Sequence, residues 1–176
     1  AVFQMLSHGS LPAARFLCVG VVYDRLHTRE IARYGGLARR MPAYAAVFMV
    51  FMLGSVGLPG TSGFIGAFLG LLGTYRVDRL ATVLATTGII LSVTYMLWLY
   101  RAVIFGPLVK DDLKSMLDLN VREIAVFAPL VLIVIWMGIY PASFLDGMAA
   151  SVQALSHQMQ ASAGTHPSGL AFLFRH

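Results

Sequence analysis

Two titratable side chains, His8 and Arg15, lie inside the first apolar run of the chain, residues 1–23. They are seven residues apart, which is nearly two helical turns, so they share one helix face about 10 Å apart along the axis. Histidine titrates near neutral pH and can accept and release a proton. An arginine at the centre of a membrane helix costs at least ~2.5–3.5 kcal/mol, so we expect Arg15 to face protein or water. These residues predict a polar path through the helix bundle. The alternatives are a packing histidine, and an arginine that reaches an interface or pairs with a neighbouring subunit.

Other kinds of chemistry are not indicated by the sequence. Cys18 is the single cysteine and lies in an apolar run, which excludes a disulfide framework within the chain. The five histidines show no metal-ligand spacing with cysteine or carboxylates. No glycine-rich phosphate loop follows a strand. We therefore predict no catalytic residue, no metal site and no cofactor site in this chain, with haem ligation by His8 alone as a weak alternative.

Composition places the chain in a membrane. Of its 176 residues, 58% are apolar and only 12% are charged, with a mean hydropathy of +0.76. Soluble domains carry about 25% charged residues. The net charge is +5, but the basic residues lie in short loops between apolar runs, which indicates membrane topology rather than nucleic-acid binding.

Residues 41–75 contain no charged side chain, and their sequence predicts a helix that is interrupted near its middle. A straight helix of that length would measure ~52 Å, against ~30 Å for the hydrocarbon core. Pro59, within a cluster of Gly, Ser and Thr, donates no backbone hydrogen bond and disfavours a helical Leu58. The sequence predicts a break at Leu58–Gly63 whose freed backbone groups need protein or internal water, as in transporters. A simple packing kink is the alternative.

The predicted fold is an all-α, polytopic transmembrane helix bundle within residues 1–155. Loops 24–40 and 106–122 carry eight Lys and Arg, against three in the connection 76–79 and the tail. The positive-inside rule puts those two loops on the matrix or cytoplasmic side. The second loop is expected to hold a short surface helix, Asp111 to Leu119. The predicted spans are 1–23, 42–75, 80–105 and 124–140, followed by a surface helix at 142–160 and a flexible tail at 161–176.

Several strings resemble one family. LPGTSGF, YDRLHTREI and YGGL, in this order and spacing, resemble the C-terminal part of NADH–ubiquinone oxidoreductase chain 4. Chain 4 is an antiporter-like, proton-pumping subunit in the membrane arm of respiratory complex I. The resemblance covers about residues 1–155, and WMGIYPASFLD is more similar to mitochondrial than to bacterial versions.

The resemblance implies the last four helices of a larger antiporter-like fold. The remaining helices would come from a separate chain, or this chain is a processed product or fragment. The implied role is to line part of a transmembrane proton path and to support assembly, as a non-redox subunit of NADH:ubiquinone reductase. The residues implied for this path are His8, Pro59, Thr61, Ser62, Thr87, Thr94 and Tyr95. The implied partners are the lipid bilayer and other membrane-arm subunits, including a separate chain with the N-terminal helices of the same subunit. FMN, iron–sulfur clusters and ubiquinone are expected in other subunits of the complex. The implied location is the mitochondrial inner membrane, with the bacterial plasma membrane as the alternative.

Two departures from the family bear on that role. Ala67 stands where the resemblance implies a proton-carrying glutamate, and Arg15 stands where it implies an apolar residue. The proton exit step could use His8 with ordered water, use a partner's carboxylate, or be lost. The alternatives are a structural membrane-arm module without proton conduction, or a related cation/proton antiporter or membrane hydrogenase subunit, although the strings at 24–36 and 136–146 fit chain 4 better.

Overall fold

The computed structural model describes residues 2–106, 113 and 116–165. No strand occurs within these ranges, which confirms the predicted all-helical class. Contacts divide the chain into two compact units, Ala1–Pro141 and Ala142–His176. The helices are α1 (Val2–Leu26), α2 (Pro42–Val56), α3 (Ser62–Tyr75), α4 (Arg79–Tyr100), α5 (Val121–Ile139) and α6 (Ala142–Thr165).

Three helices of the described chain are long and apolar enough to cross a membrane: α1, α5, and α4 with the π-helical turn Arg101–Phe105 that continues it. Helices α2 and α3 are also apolar but have only 15 and 14 residues. Each is about 22 Å long, too short to cross ~30 Å of hydrocarbon alone. The second predicted span is therefore two helical pieces.

The break between these two pieces runs from Gly57 to Thr61. Gly57 has a φ of +87°, the left-handed conformation that glycine adopts most readily, and its N–H caps α2 by donating to the Leu53 and Gly54 carbonyls. The Thr61 hydroxyl donates to the Leu58 carbonyl at 2.6 Å. The predicted break at Leu58–Gly63 is confirmed, but it lies slightly earlier because Ser62 and Gly63 already form the first turn of α3.

Glycines let the backbones around the break approach closely. A methyl group at Gly63 would overlap the carbonyl oxygen of Gly54, and one at Gly138 would overlap Gly60. The break is therefore level with Gly138, one residue before the end of α5. At 1.5 Å per residue this level is about 22 Å from Glu123 at the other end of α5. The break is thus nearer to one end of α5 than to its centre.

The opposite end of the bundle is fixed by charged contacts. Arg25, in the last turn of α1, donates from Nη1 and Nη2 to the two carboxylate oxygens of Glu123 at 3.0 and 2.8 Å. The carboxylate of Asp118 accepts from the backbone N–H groups of Ala43 and Tyr44 at 2.9 and 3.1 Å, which caps α2. The end of α1 and the starts of α2 and α5 therefore meet at this end.

The loop between α1 and α2 is folded rather than extended. It contains two 3₁₀ turns, Ile31–Arg33 and Leu37–Arg39, and Leu37 is fully buried. The Tyr34 hydroxyl donates to the Thr28 carbonyl, and burial raises the pKa of this phenol. The basic side chains of this loop are thus carried on an ordered segment.

Two expectations for the C-terminal half need correction. Residues 116–120 are not helical, so the predicted helix Asp111–Leu119 is wrong at its end, because Asp118 turns its carboxylate to α2 and to the Leu119 N–H. Its earlier residues, Leu113 excepted, lie outside the described ranges. In the second unit, α6 runs to Thr165, five residues beyond the predicted 142–160, so the start of the predicted tail is helical. Residues 166–176 of that tail lie outside the described ranges.

Candidate functional site

A cavity of about 270 Å³ lies beside the break, and α1, α2, α3 and α4 all contribute to its wall. Helices α1, α3 and α4 each present one face, since their lining positions recur at helical spacing, and α2 contributes its C-terminal end. The lining residues are Gln4, Ser7, His8, Leu11, Pro12 and Arg15 from α1; Ser55, Val56 and Gly57 at the end of α2; Gly63 and Ala67 from α3; and Ala85, Gly88, Ile89 and Ser92 from α4.

His8 and Arg15 line the same cavity, as their spacing predicted. Pro12 lies between them inside α1 and has no N–H. It cannot donate to the carbonyl four residues earlier, which is that of His8. With any other residue at position 12, the backbone N–H would donate to the His8 carbonyl. Helix α1 therefore lacks one backbone hydrogen bond where it lines the cavity.

The start of α3 meets α1 through a buried hydroxyl pair. The Ser7 hydroxyl donates to the Ser62 hydroxyl at 2.9 Å, and both serines are fully buried. Ser62 is the first residue of α3, so its hydroxyl lies where unsatisfied N–H groups give the helix a positive end. The pair therefore connects Ser7, which is next to His8 in α1, to the start of α3.

Arg15 lacks a counter-charge in the described part of the cavity wall. Its Nε atom is buried and has no hydrogen-bond partner there. No Asp or Glu is among the lining residues, and α3 contributes only Gly63 and the methyl group of Ala67. The cavity is therefore lined by both polar and apolar groups, with one positive charge and one histidine among the described residues.

Two of the predicted hydroxyls lie away from this cavity. Thr87 and Thr94 are exposed, and their hydroxyls donate to carbonyls of their own helix, at 2.6 and 2.9 Å. They are two residues from Ala85 and Ser92, which is about 200° around the helix. Their part in a proton path stays a prediction.

The other predicted residues lie at its margin. Pro59 is exposed in the break, and Thr61 is buried but already donates to its own turn. Tyr95 is 56% exposed, yet its hydroxyl lies 3.5 Å from that of Ser92, which lines the cavity. Tyr95 thus connects the cavity edge to the outer face of α4.

Four polar lining residues were missed from the sequence: Gln4, Ser7, Ser55 and Ser92. Gln4 and Ser7 fall on the helical face that His8 and Arg15 define, so that spacing could have found them. Ser55 and Ser92 lie in helices that are apolar all round, where no polar stripe marks the inner face.

No three His, Cys, Asp or Glu side chains come together as a metal-binding group within residues 2–106, 113 and 116–165.

The family described as the transmembrane part of NADH:quinone oxidoreductase and Mrp antiporters matches residues 1–92. That range contains every residue lining the cavity. The chain belongs to this family.

Individual relatives agree with the family match. The chain is 56% identical to NADH-quinone oxidoreductase subunit M of Rhodobacter capsulatus over 165 residues, 94% of this chain and 32% of that protein. It is 48% identical to NADH-ubiquinone oxidoreductase chain 4 of Arabidopsis thaliana over 155 residues, 88% of this chain and 31% of that protein. The chain therefore spans about a third of the length of these relatives, and its resemblance to chain 4 is confirmed.

A solved structure gives the same result. The fold matches respiratory complex I from Thermus thermophilus with bound NADH, with a TM-score of 0.70 and 36% identity. The match covers 75% of this chain and 27% of that chain. The antiporter-like helical fold is therefore confirmed.

Proposed function

We propose that this chain is a portion of a chain-4 membrane-arm subunit of proton-pumping NADH:quinone oxidoreductase, complex I. Its helices α1 to α4 line part of a transmembrane proton path and contribute to assembly of the complex. The chain itself takes no part in electron transfer. The observation that carries the proposal is the cavity at the break, which places His8 beside the start of α3 within the family-matched residues.

The cavity has the groups that a proton path needs. His8 lies in the cavity wall, and a histidine side chain can act as a proton shuttle. The Ser7–Ser62 pair lies next to it and can order water or hand on a proton. A volume of about 270 Å³ holds several waters at roughly 30 Å³ each. A proton therefore has a titratable group, hydroxyls and room for water at the level of the break.

The proposal extends to partners and location. The partners are other membrane-arm subunits of complex I, and other subunits of the complex hold FMN, iron–sulfur clusters and ubiquinone. The membrane is the mitochondrial inner membrane, with the bacterial plasma membrane as the alternative. The ends of the bundle fit this topology, because the basic loop 24–40 and the Arg25–Glu123 contact lie at one end. That end faces the matrix or the cytoplasm.

Co-purification tests membership of complex I. The chain is extracted in mild detergent, and the fractions are assayed for NADH dehydrogenase activity and for the masses of the co-purifying chains. The proposal predicts that this activity follows the chain through size-exclusion chromatography. The family also contains Mrp antiporters, so co-purification with antiporter or hydrogenase subunits and without NADH dehydrogenase activity would contradict it.

A structural role is the second candidate, and the Ala67 methyl group favours it because it gives the cavity wall no titratable group on α3. Ala67→Glu and Ala67→Gln are compared in sealed vesicles that oxidise NADH, with protons moved per electron as the readout. A gain in Ala67→Glu alone would show that the original chain conducts no protons here, whereas an unchanged ratio supports conduction without that carboxylate.

A further inference from the structure

The guanidinium of Arg15 is an uncompensated charge in the centre of α1. Its Nε atom is buried without a partner among the described residues, and no acidic residue lines the cavity. Arginine stays protonated in proteins, so it cannot relieve the burial by losing its proton. Arg15 as a whole is only partly buried, so the buried group without a partner is its Nε–H, and a buried donor of this kind is normally hydrogen-bonded in proteins.

Arg15 cannot reach either end of its helix. It lies eleven residues from Leu26 and thirteen from Val2, the ends of α1, which is about 16 and 20 Å at 1.5 Å per residue. The buried Nε also argues against an arginine that extends to the membrane surface. A counter-charge is therefore expected beside the guanidinium itself.

Two cavities touch Arg15, and they differ in character. The second, of about 290 Å³, is lined by apolar residues apart from Arg15 and offers no side-chain donor. The cavity at the break offers polar side chains on several sides. The hydroxyls of Ser7 and Ser55 already donate to Ser62 and to the Phe51 carbonyl. The side chains placed to donate to a ligand are therefore Gln4 and His8. Small residues leave space between them: Ala67, Ala85 and Gly88.

We propose that the cavity at the break binds a small monovalent anion, a halide or a short carboxylate such as formate, against the guanidinium of Arg15. Side-chain donors of the cavity wall complete its coordination. The walls come from α1, α2, α3 and α4 of this chain, and the volume of about 270 Å³ accommodates a small ion. This inference does not depend on the role in complex I, because it concerns charge balance within the bundle.

Thermal unfolding in different anions tests the site. The chain, purified in mild detergent with its co-purifying partners, is melted in chloride, in formate and in the bulky anion lactobionate at equal ionic strength. An anion at roughly 100 times its dissociation constant is expected to raise the melting temperature by about 5–10 °C over lactobionate. The chloride and formate series show which anion chemistry the site accepts. No shift in either anion overturns the proposal, since a partner's carboxylate would already neutralise Arg15.

Arg15→Leu removes the charge and is expected to abolish the anion-dependent shift. Arg101→Leu is the matched control, because Arg101 is an exposed arginine at the end of α4 outside the cavity, and it should keep the shift. A shift that survives Arg15→Leu contradicts the site.

Ala67→Glu supplies an internal counter-charge and covers the case in which Arg15→Leu does not fold. It should melt at the same temperature in all three anions, and in lactobionate it should melt higher than the original chain. Ala67→Gln adds similar volume without charge, so equal stabilisation by both variants would contradict an electrostatic site. None of these readouts measures proton transport, so their failure leaves the proposed function untouched.

Discussion

At the scale of single residues, the cavity depends on one buried contact between α1 and α3. The hydroxyls of Ser7 and Ser62 lie 2.9 Å apart, and neither side chain is exposed. A buried hydroxyl that loses its partner still costs the free energy of its removal from water, because no hydrogen bond offsets that cost. The pair therefore fixes the start of α3 beside His8.

Ser7→Ala and Ser62→Ala are each expected to destabilise the bundle by about 1–3 kcal/mol, because each leaves the other hydroxyl unpaired. The double variant should cost less than the sum, since no hydroxyl is then left alone. Denaturant unfolding in detergent micelles measures all three. Ser10→Ala is the control, because Ser10 bonds to carbonyls of its own helix; strictly additive costs would contradict the pair.

The sequence located some of these residues and not others for a physical reason. His8 and Arg15 could be placed on one face because α1 is amphipathic enough for their spacing to define it. Thr87 and Thr94 were selected for their hydroxyls alone. Helix α4 is apolar on all sides and only Met96 and Tyr100 are buried, so nothing in its pattern indicated which face meets the cavity.

At the scale of elements, the break lets two short helices replace one long one. Its existence could be predicted from Pro59, the surrounding glycines and a segment too long for the bilayer. The position of the break along α5 could not be predicted, because it depends on the contact between Gly60 and Gly138, which are far apart in the chain. Backbone contacts of this kind require two glycines to meet, and no local pattern reports which ones do.

Gly63→Ala is expected to destabilise the bundle by more than about 1 kcal/mol, because the new methyl group overlaps the Gly54 carbonyl. Gly70→Ala is the matched control on the same helix, since nothing lies within 4 Å of the added methyl group. It should be neutral or slightly stabilising, by up to ~1 kcal/mol, because alanine favours a helix. Yield of folded protein and melting temperature in micelles measure both, and equal behaviour would contradict the close approach.

Arg25→Lys tests the ion pair between Arg25 and Glu123 at the other end of the bundle, which we call the Arg25–Glu123 clamp. Lysine keeps the charge but cannot form both hydrogen bonds to Glu123, so a loss of about 1–3 kcal/mol is expected. Arg39→Lys, at an exposed arginine of the neighbouring loop, should change stability by less than about 0.5 kcal/mol. Denaturant unfolding measures both variants. An unchanged free energy of unfolding in Arg25→Lys would show that the Arg25–Glu123 clamp contributes little to stability.

At the scale of the whole molecule, the two ends of the first unit differ in charge and contacts. One end carries the basic loop 24–40 and the Arg25–Glu123 clamp, and the other carries the connection between α3 and α4. The sequence predicted this division because basic residues mark one side of a membrane. It follows that the two ends should face different compartments.

Labelling of single cysteines tests this topology. In a Cys18→Ala background, Arg39→Cys and Val77→Cys introduce exposed thiols at opposite ends. A membrane-impermeant maleimide added to sealed vesicles should label only one of the two, and the other only after the vesicles are opened. Labelling of both in sealed vesicles would contradict the arrangement.

The central claim is that the cavity at the break carries protons through His8, and the ratio of protons moved to electrons transferred tests it most directly. In sealed vesicles oxidising NADH, His8→Ala should lower this ratio while the rate of NADH oxidation in uncoupled vesicles stays near that of the original chain. His157→Ala, at an exposed histidine of α6, should leave the ratio unchanged. An unaltered ratio in a fully assembled His8→Ala complex would contradict the claim.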